Sequence, residues 1–310
     1  MLAPFMSFSA ASTWEETKKL ARFPKHLTEY YRDILGQYEL AYNAAERARS
    51  KGLDPNDYVE SKTVLDLADR VNQMLGLDQF KDFVFRLREL LKSTTKERAA
   101  LTIAQEIALG KFGIITTDKA LDYGVRAGLA VITDGVTVAP IQGIYAVTIG
   151  KNDDNTSYAS ISYAGPMRSA GGTEAAFSLI ICDAVSKKLG LSSYRAREEE
   201  VGRYIEELRV YEREVGNFQY RVSDEDVRAA ITNLPVEING VETDPVEVVV
   251  HRGLRRVATD RVRGGALRVL NDGVIGRAHK LAKIVEDLNI SAREWLSQVK
   301  RGNQQSSEET

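Results

Sequence analysis

Tyr163–Ala164–Gly165–Pro166–Met167–Arg168–Ser169–Ala170–Gly171–Gly172–Thr173 passes from a strand-like segment through a stiff turn into an apolar run. Gly-Pro fixes the bend, and the paired glycines remove the Cβ atoms that would keep another group away from the main chain. A helix is expected over about Glu174 to Leu189, with its first N–H groups and the positive end of its dipole aimed at whatever lies over the glycines. Arg168, Ser169, Gly171 and Gly172 are therefore candidate phosphate-binding residues. The same glycines also fit a purely structural role, in which a buried helix packs tightly on a strand. The stretch has no Gly-x-Gly-x-x-Gly and lacks the Gly-Lys-Ser/Thr ending of a P-loop, which sets aside the common nucleotide-binding loops.

The device recurs at Arg261–Val262–Arg263–Gly264–Gly265–Ala266, which leads into Leu267, Val269 and Leu270. The surrounding segment carries Arg252, Arg255, Arg256, Arg261, Arg263, Arg268, Arg277, Lys280 and Lys283 against Asp260 and Asp272. The whole chain has a formal net charge of −2, so this excess is local, and a local excess makes an electrostatic footprint. Arg255, Arg256, Arg261, Arg263, Gly264 and Gly265 join the phosphate candidates. The alternative is that these arginines pair with the acidic segment Glu198–Glu214.

Working outward, Tyr158–Tyr163 alternates as a strand returning from Ile144–Ile149 through the polar turn Lys151–Thr156, and Val136–Val138 is a further short β candidate. Upstream, helices are expected near Thr63–Leu75, Phe80–Leu91, Lys96–Leu109 and Leu121–Ile132. Leu27, Tyr31, Ile34, Tyr38, Ala41, Ala45 and Ala48 form one stripe of a long helix that ends near Gly52. The stripe packs on its own domain or docks a partner, with Leu27, Tyr31, Ile34 and Tyr38 as the docking candidates. Downstream, Val201, Ile205 and Leu208 mark a charged amphipathic helix, and Ser223–Asp226 opens another that Pro235 ends. Val236–Ile238 and Val246–Val250 flank an Asn239–Gly240 turn signal, and a final helix runs to about Leu288.

Helices interleaved with strands give an α+β fold: a helical N-terminal part with a long amphipathic helix, then a mixed or antiparallel sheet packed with helices. The expected divisions are an extension over 1–24, a helical region over 25–110, an α+β region over 111–300, and a tail or linker start over 301–310. With 310 residues and 43% hydrophobic content the chain can bury a substantial core. The single cysteine, Cys182, sits in an apolar run and is expected to fill core volume, which fits a reducing cytoplasm. The start carries neither a secretory signal nor a membrane span, so no membrane partner is expected.

Catalytic chemistry is thinly represented. His26, His251 and His279 are far apart and there is one cysteine, so a Cys/His zinc site is not expected. Asp153 with Asp154, Asp224 with Asp226, and Glu242 with Asp244 are the carboxylate pairs that could bind magnesium, but each sits where a turn, a helix cap or a hairpin explains it. No catalytic residue, metal ligand or cofactor is expected in this chain.

As a set, these residues resemble a known family. The stretch from Tyr163 to Thr173, then Leu234–Pro235–Val236–Glu237–Ile238 with Thr243–Asp244–Pro245–Val246–Glu247–Val248, then Arg261–Val262–Arg263–Gly264–Gly265–Ala266, is similar to the N-terminal region of the large subunit of the archaeal D-family DNA polymerase. Glu46–Arg47–Ala48–Arg49–Ser50–Lys51–Gly52–Leu53–Asp54–Pro55 and Glu294–Trp295–Leu296 extend the match, which is collinear over about Tyr30 to Leu296. Met167 stands where the family usually has isoleucine, and Met1–Pro24 has no counterpart.

The resemblance implies a multisubunit, magnesium-dependent DNA-directed DNA polymerase of archaeal DNA replication, a nucleotidyltransferase whose small subunit carries a 3′–5′ exonuclease. It implies that this N-terminal region serves assembly and DNA binding in the cytoplasm, with DNA and the small subunit as partners and self-association possible. The catalytic carboxylates and zinc modules lie far downstream in the family. Two alternatives stand beside this reading: a pure assembly module without DNA contact, and an independent nucleotide- or phosphate-binding enzyme.

Overall fold

The computed structural model describes residues 24–53, 64, 66–77, 80, 82–113, 116–133 and 139–299. The expectations for Val136–Val138 and the 301–310 tail, and for all of the N-terminal extension but Pro24, lie outside these residues. The chain divides into two compact units, Met1–Val64 and Leu65–Thr310.

The described part of the first unit is helix α1 (Lys25–Ser50) and the turn that ends it. Its stop is local: Gly52 takes a φ of +65°, and the Leu53 and Gly52 N–H groups cap the carbonyls of Ala48 and Arg49. Tyr30 meets Tyr31 edge-on and Tyr38 lies against Tyr42, four residues on.

In the second unit, α2 (Leu67–Leu75) starts on the Asp66 side chain, which accepts the Asp69 N–H, and stops at Gly76, with a φ of +60°. Helix α3 (Phe83–Ser93) follows, then α4 (Lys96–Ala108), capped by the Thr95 hydroxyl, and α5 (Thr117–Ile132). Helices α4 and α5 pack closely where Gly124 faces Ala104, whose carbonyl would lie 2.8 Å from any Cβ there. The division expected near residue 110 is therefore no break in packing, because the helices on either side share one core.

A one-turn helix α6 (Ala139–Gln142) leads into β1 (Ile144–Lys151), which pairs antiparallel with β2 (Ser157–Tyr163) across the polar turn. Helix α7 (Gly172–Lys188) is apolar on all sides and almost wholly buried, and the rest of the unit packs round it: α4, α5, β2 and the last helices. Then come α8 (Glu198–Glu214) and α9 (Asp224–Asn233), the latter opened by a reciprocal capping box between Ser223 and Asp226. Strand β3 (Glu237–Gly240) joins β2 in parallel, Ile161 opposite Ile238, completing a three-stranded mixed sheet in the order β1–β2–β3. The fold is α+β.

One β expectation is corrected here. Asn239–Gly240 is not a turn but the end of β3, where the Asn239 side chain accepts the Gly240 N–H and donates to the Arg256 carbonyl. Val246–Val250 forms no strand beyond a single antiparallel bridge from Glu247 to Arg261, and Val249 and Val250 point outward. The chain closes with α10 (Gly264–Arg268), a π-helical segment Val269–Ile275 and α11 (Ala278–Leu288), so the expected last helix is three pieces, followed by a helical stretch over 293–299. Among the described residues no helix is long and apolar enough to cross a membrane.

Candidate functional site

The two Arg/Gly-Gly motifs meet. After β2, a 3₁₀ turn (Gly165–Ser169) brings Arg168 onto the start of α10. Its Nη2 donates to Asp244 Oδ2 at 2.5 Å and to the Thr243 carbonyl at 3.1 Å. The Thr243 hydroxyl donates to the same carboxylate at 2.7 Å and accepts the Gly264 N–H at 2.7 Å. Arg168, Asp244, Thr243 and Gly264 thus lock the two motifs together.

The space over the glycines is filled by the protein itself. A Cβ on Gly264 would lie 2.7 Å from Asp244 Oδ2 and 2.8 Å from the Tyr211 ring, and one on Gly265 would strike the Ala164 carbonyl oxygen. One on Gly172 would lie 2.6 Å from both Arg277 Nε and the Asp272 carbonyl oxygen, while the Glu174 carboxylate occupies the space beside Gly171. The glycines permit close backbone approach within the fold, and the negative group already beside Gly171 repels a second anion.

The arginines divide by what they touch. Arg263 is fully buried, so the expectation that it meets DNA phosphate is corrected: Nε lies 3.1 Å from Glu207 Oε1, Nη1 donates to Asn239, and the guanidinium stacks on the Tyr204 ring. Burial works to lower its pKa, but the Glu207 carboxylate more than compensates and raises it. Glu207 also accepts from Arg203 Nε at 2.7 Å, which makes a buried triad of two guanidinia and one carboxylate. Arg256 runs inward between the Tyr158 and Tyr194 rings to Glu200, with Asp153 at its outer end. Arg261 pairs at the surface with Glu242 and Glu247, and Arg268 with Asp272. The alternative reading, pairing with the acidic segment of α8, is what Glu200 and Glu207 do.

Arg255 is exposed and makes no ion pair among the described residues, and the same is true of Lys280 and Lys283 on α11. Ser169 is exposed, with its hydroxyl donating to the Pro166 carbonyl. On α1, Leu27, Tyr31 and Ile34 are exposed and Tyr38 is half-buried.

The carboxylate pairs are spoken for. Arg197 holds Asp153 and Arg195 holds Asp154, Asp226 caps α9, and Glu242 and Asp244 hold Arg261 and Arg168. Among the described residues no group of three or more His, Cys, Asp or Glu side chains is placed to hold a metal ion. Each of these carboxylates is already engaged by an arginine or a helix start. Cys182 lies wholly inside, where burial pushes its thiol up and away from reactivity.

Two residues with organising roles, Arg203 and Glu206, carry no sequence signal. On an amphipathic helix they read as part of a solvated face, yet Arg203 is buried and Glu206 gathers the N–H groups of the facing loop.

Comparison with known proteins decides what this architecture is. The profile of the family described as DNA polymerase II large subunit DP2, N-terminal, matches residues 29–302. The chain belongs to that family. Among relatives of this DNA polymerase II large subunit family, the protein of Cenarchaeum symbiosum is 50% identical over 289 residues, 92% of this chain and 26% of that protein. The large subunit of Methanococcus maripaludis is 44% identical over 92% of this chain and 25% of its own length. That of Pyrococcus horikoshii is 42% identical over 89% of this chain and 19% of its own length. The chain therefore spans about a quarter or less of these large subunits.

Proposed function

We propose that this chain is a structural and assembly module at the N-terminal end of the large subunit of a replicative DNA polymerase, working in the cytoplasm and without catalytic residues of its own. The observation that carries this reading is that five of the nine cations of its basic segment are engaged within the chain. Arg252, Arg256, Arg261, Arg263 and Arg268 each pair with a carboxylate of the same chain. Charges neutralised in this way give rigidity and little attraction for phosphate. The α1 stripe of Leu27, Tyr31 and Ile34 offers the apolar surface an assembly partner needs, and the small exonuclease subunit is the partner we assign to it.

A second, narrower reading is contact with the DNA backbone through Arg255, Lys280 and Lys283, which are exposed and make no ion pair among the described residues. A nucleotide-binding enzyme is disfavoured, because the start of α7 is filled by Arg277 and Glu174.

One experiment separates these readings. Leu27→Asp with Ile34→Asp weakens association with the small subunit at least about tenfold and leaves the melting temperature of the 65–310 unit unchanged, since charge at an apolar contact costs several kcal/mol. Undiminished association refutes the assembly role of α1. In parallel, Arg255→Ala with Lys280→Ala and Lys283→Ala leaves the slope of log affinity for duplex DNA against log salt unchanged, and a fall of about three supports the DNA-contact reading instead. The purified chain with magnesium adds no nucleotide to a primer. Incorporation that Asp153→Asn with Asp154→Asn abolishes shows a catalytic site in this chain.

A further inference from the structure

Glu237, the first residue of β3, is 4% exposed and makes no ion pair among the described residues. Two residues along the same strand face, the Asn239 side chain donates to Glu237 Oε1 at 3.3 Å, a long hydrogen bond from an amide that also serves the Arg256 carbonyl. Ser160 of β2 stands opposite Glu237 in the parallel register and offers its hydroxyl. Tyr158 of β2, Tyr194, and Tyr204 of α8 are buried neighbours of the same carboxyl.

Each nearby guanidinium is already matched. Arg256 Nε lies 3.1 Å from Glu200 Oε1, with Asp153 at its outer end, while Arg263 and Arg203 share Glu207 and Arg203 also reaches Asp260. Glu200 is itself buried and accepts from the Tyr194 hydroxyl and the Arg197 N–H. A charge on Glu237 would be a further buried anion beside Glu200, without a cation of its own. Inside a protein such a charge costs more than a neutral carboxyl, whose donor and acceptor can be met by hydroxyl and amide groups. Burial pushes the Glu237 carboxyl above its ordinary value and the Glu200 carboxylate adds to this, outweighing Ser160, Arg263 and Arg256, which pull the other way.

We propose that Glu237 keeps its proton in the folded protein at neutral pH and that giving it up loosens β3 and the 254–262 loop, a pH-sensitive latch on the alkaline side. Asn239 makes the link, because its side chain joins Glu237, the Gly240 N–H, the Arg256 carbonyl and Arg263 Nη1. An ionised Glu237 gains by reaching water, and it reaches water only when the strand end or the loop moves. A folded value above the unfolded one of about 4.5 means that stability is lost as pH rises from there to the folded value, the reverse of the dependence set by a carboxylate paired in the fold.

The test uses the full chain and Glu237→Gln, which has the shape of the protonated acid and cannot ionise. The urea midpoint of Glu237→Gln equals or exceeds that of the parent at about pH 8, and the gap widens as pH rises to about 9. Amide exchange over 237–240 and 254–262, corrected for the intrinsic effect of pH, speeds up across that interval in the parent and stays level in the variant. NMR of the carboxyl carbons in parent protein made with labelled glutamate shows one glutamate still protonated at about pH 7, a signal the variant lacks. A lower midpoint for the variant at about pH 8, exchange that stays level in the parent, or no protonated glutamate in the parent overturns the proposal. Should Glu237→Gln not fold, the parent's NMR decides alone: a glutamate protonated at about pH 7 upholds the proposal and its absence ends it.

Discussion

Arg263 and Glu207 face each other wholly inside the protein, with Nη2 at 3.1 Å from Oε2 and Nε at 3.1 Å from Oε1. Arg203 holds the same carboxylate from one helix turn away. Removing Arg263 leaves Arg203 and Glu207 as a balanced pair, but it strips Glu207 Oε2 of its buried donor and opens a cavity against the Tyr204 ring. Arg263→Ala should therefore lower the unfolding free energy by about 3–5 kcal/mol, read from urea melts at constant slope. Its effect on DNA affinity should be nil once the protein is folded. A variant of parental stability with a reduced salt dependence of DNA binding would place this guanidinium at the surface.

The glycines give opposite expectations at two positions. Gly265→Ala forces a methyl group against the Ala164 carbonyl oxygen, a backbone atom that cannot swing away, and overpacking of this kind costs about 1–3 kcal/mol. Gly36 lies within α1 with nothing near the place of its missing Cβ, so Gly36→Ala gains up to about 1 kcal/mol of helix propensity. Thermal melts followed by circular dichroism should move in opposite directions. A stabilising Gly265→Ala would contradict the close approach of the two Arg/Gly-Gly motifs.

The Glu206 carboxyl sets a pH dependence. Burial works to raise it, but hydrogen bonds from the N–H groups of Val250, His251 and Val249 and from the His251 side chain outweigh this and hold it at about 2. A folded value below the unfolded one gives stability that is complete above about pH 4.5 and is lost as pH falls toward about 2. Glu206→Gln should be less stable than the parent at neutral pH and should show a shallower loss across that window. Urea midpoints taken through the window check this, and parallel curves for the two proteins would show that the loop does not hold this carboxylate.

Much of the fold was legible because it depends on near neighbours in the chain. The Ser223–Asp226 capping box, the Thr95 cap and the glycines that end α1 and α2 work within a few residues, and so does the hairpin turn between Lys151 and Ser157. Asn239–Gly240 misleads for the converse reason. Its turn preference is local, but its hydrogen bonds go to distant partners, with β2 as a parallel neighbour and the Arg256 carbonyl on its side chain. The candidate site was half legible. The likeness of the two Arg/Gly-Gly motifs could be read along the chain, whereas their meeting and the identity of what fills the glycines, Ala164, Asp244, Arg277 and Glu174, require coordinates.

The sequence by itself determined the α+β class, the apolar central helix α7, the long amphipathic α1 and membership of the polymerase family, all of which rest on patterns short enough to be read along one chain. Tertiary structure alone decided the fate of charge. Arg255, Arg256, Arg261 and Arg263 are the same residue type within nine positions, yet one is exposed with no ion pair among the described residues, two are paired and one is buried against Glu207. A guanidinium looks the same in every sequence, and only its distance from a carboxylate and from water determines whether it binds a partner or holds the fold.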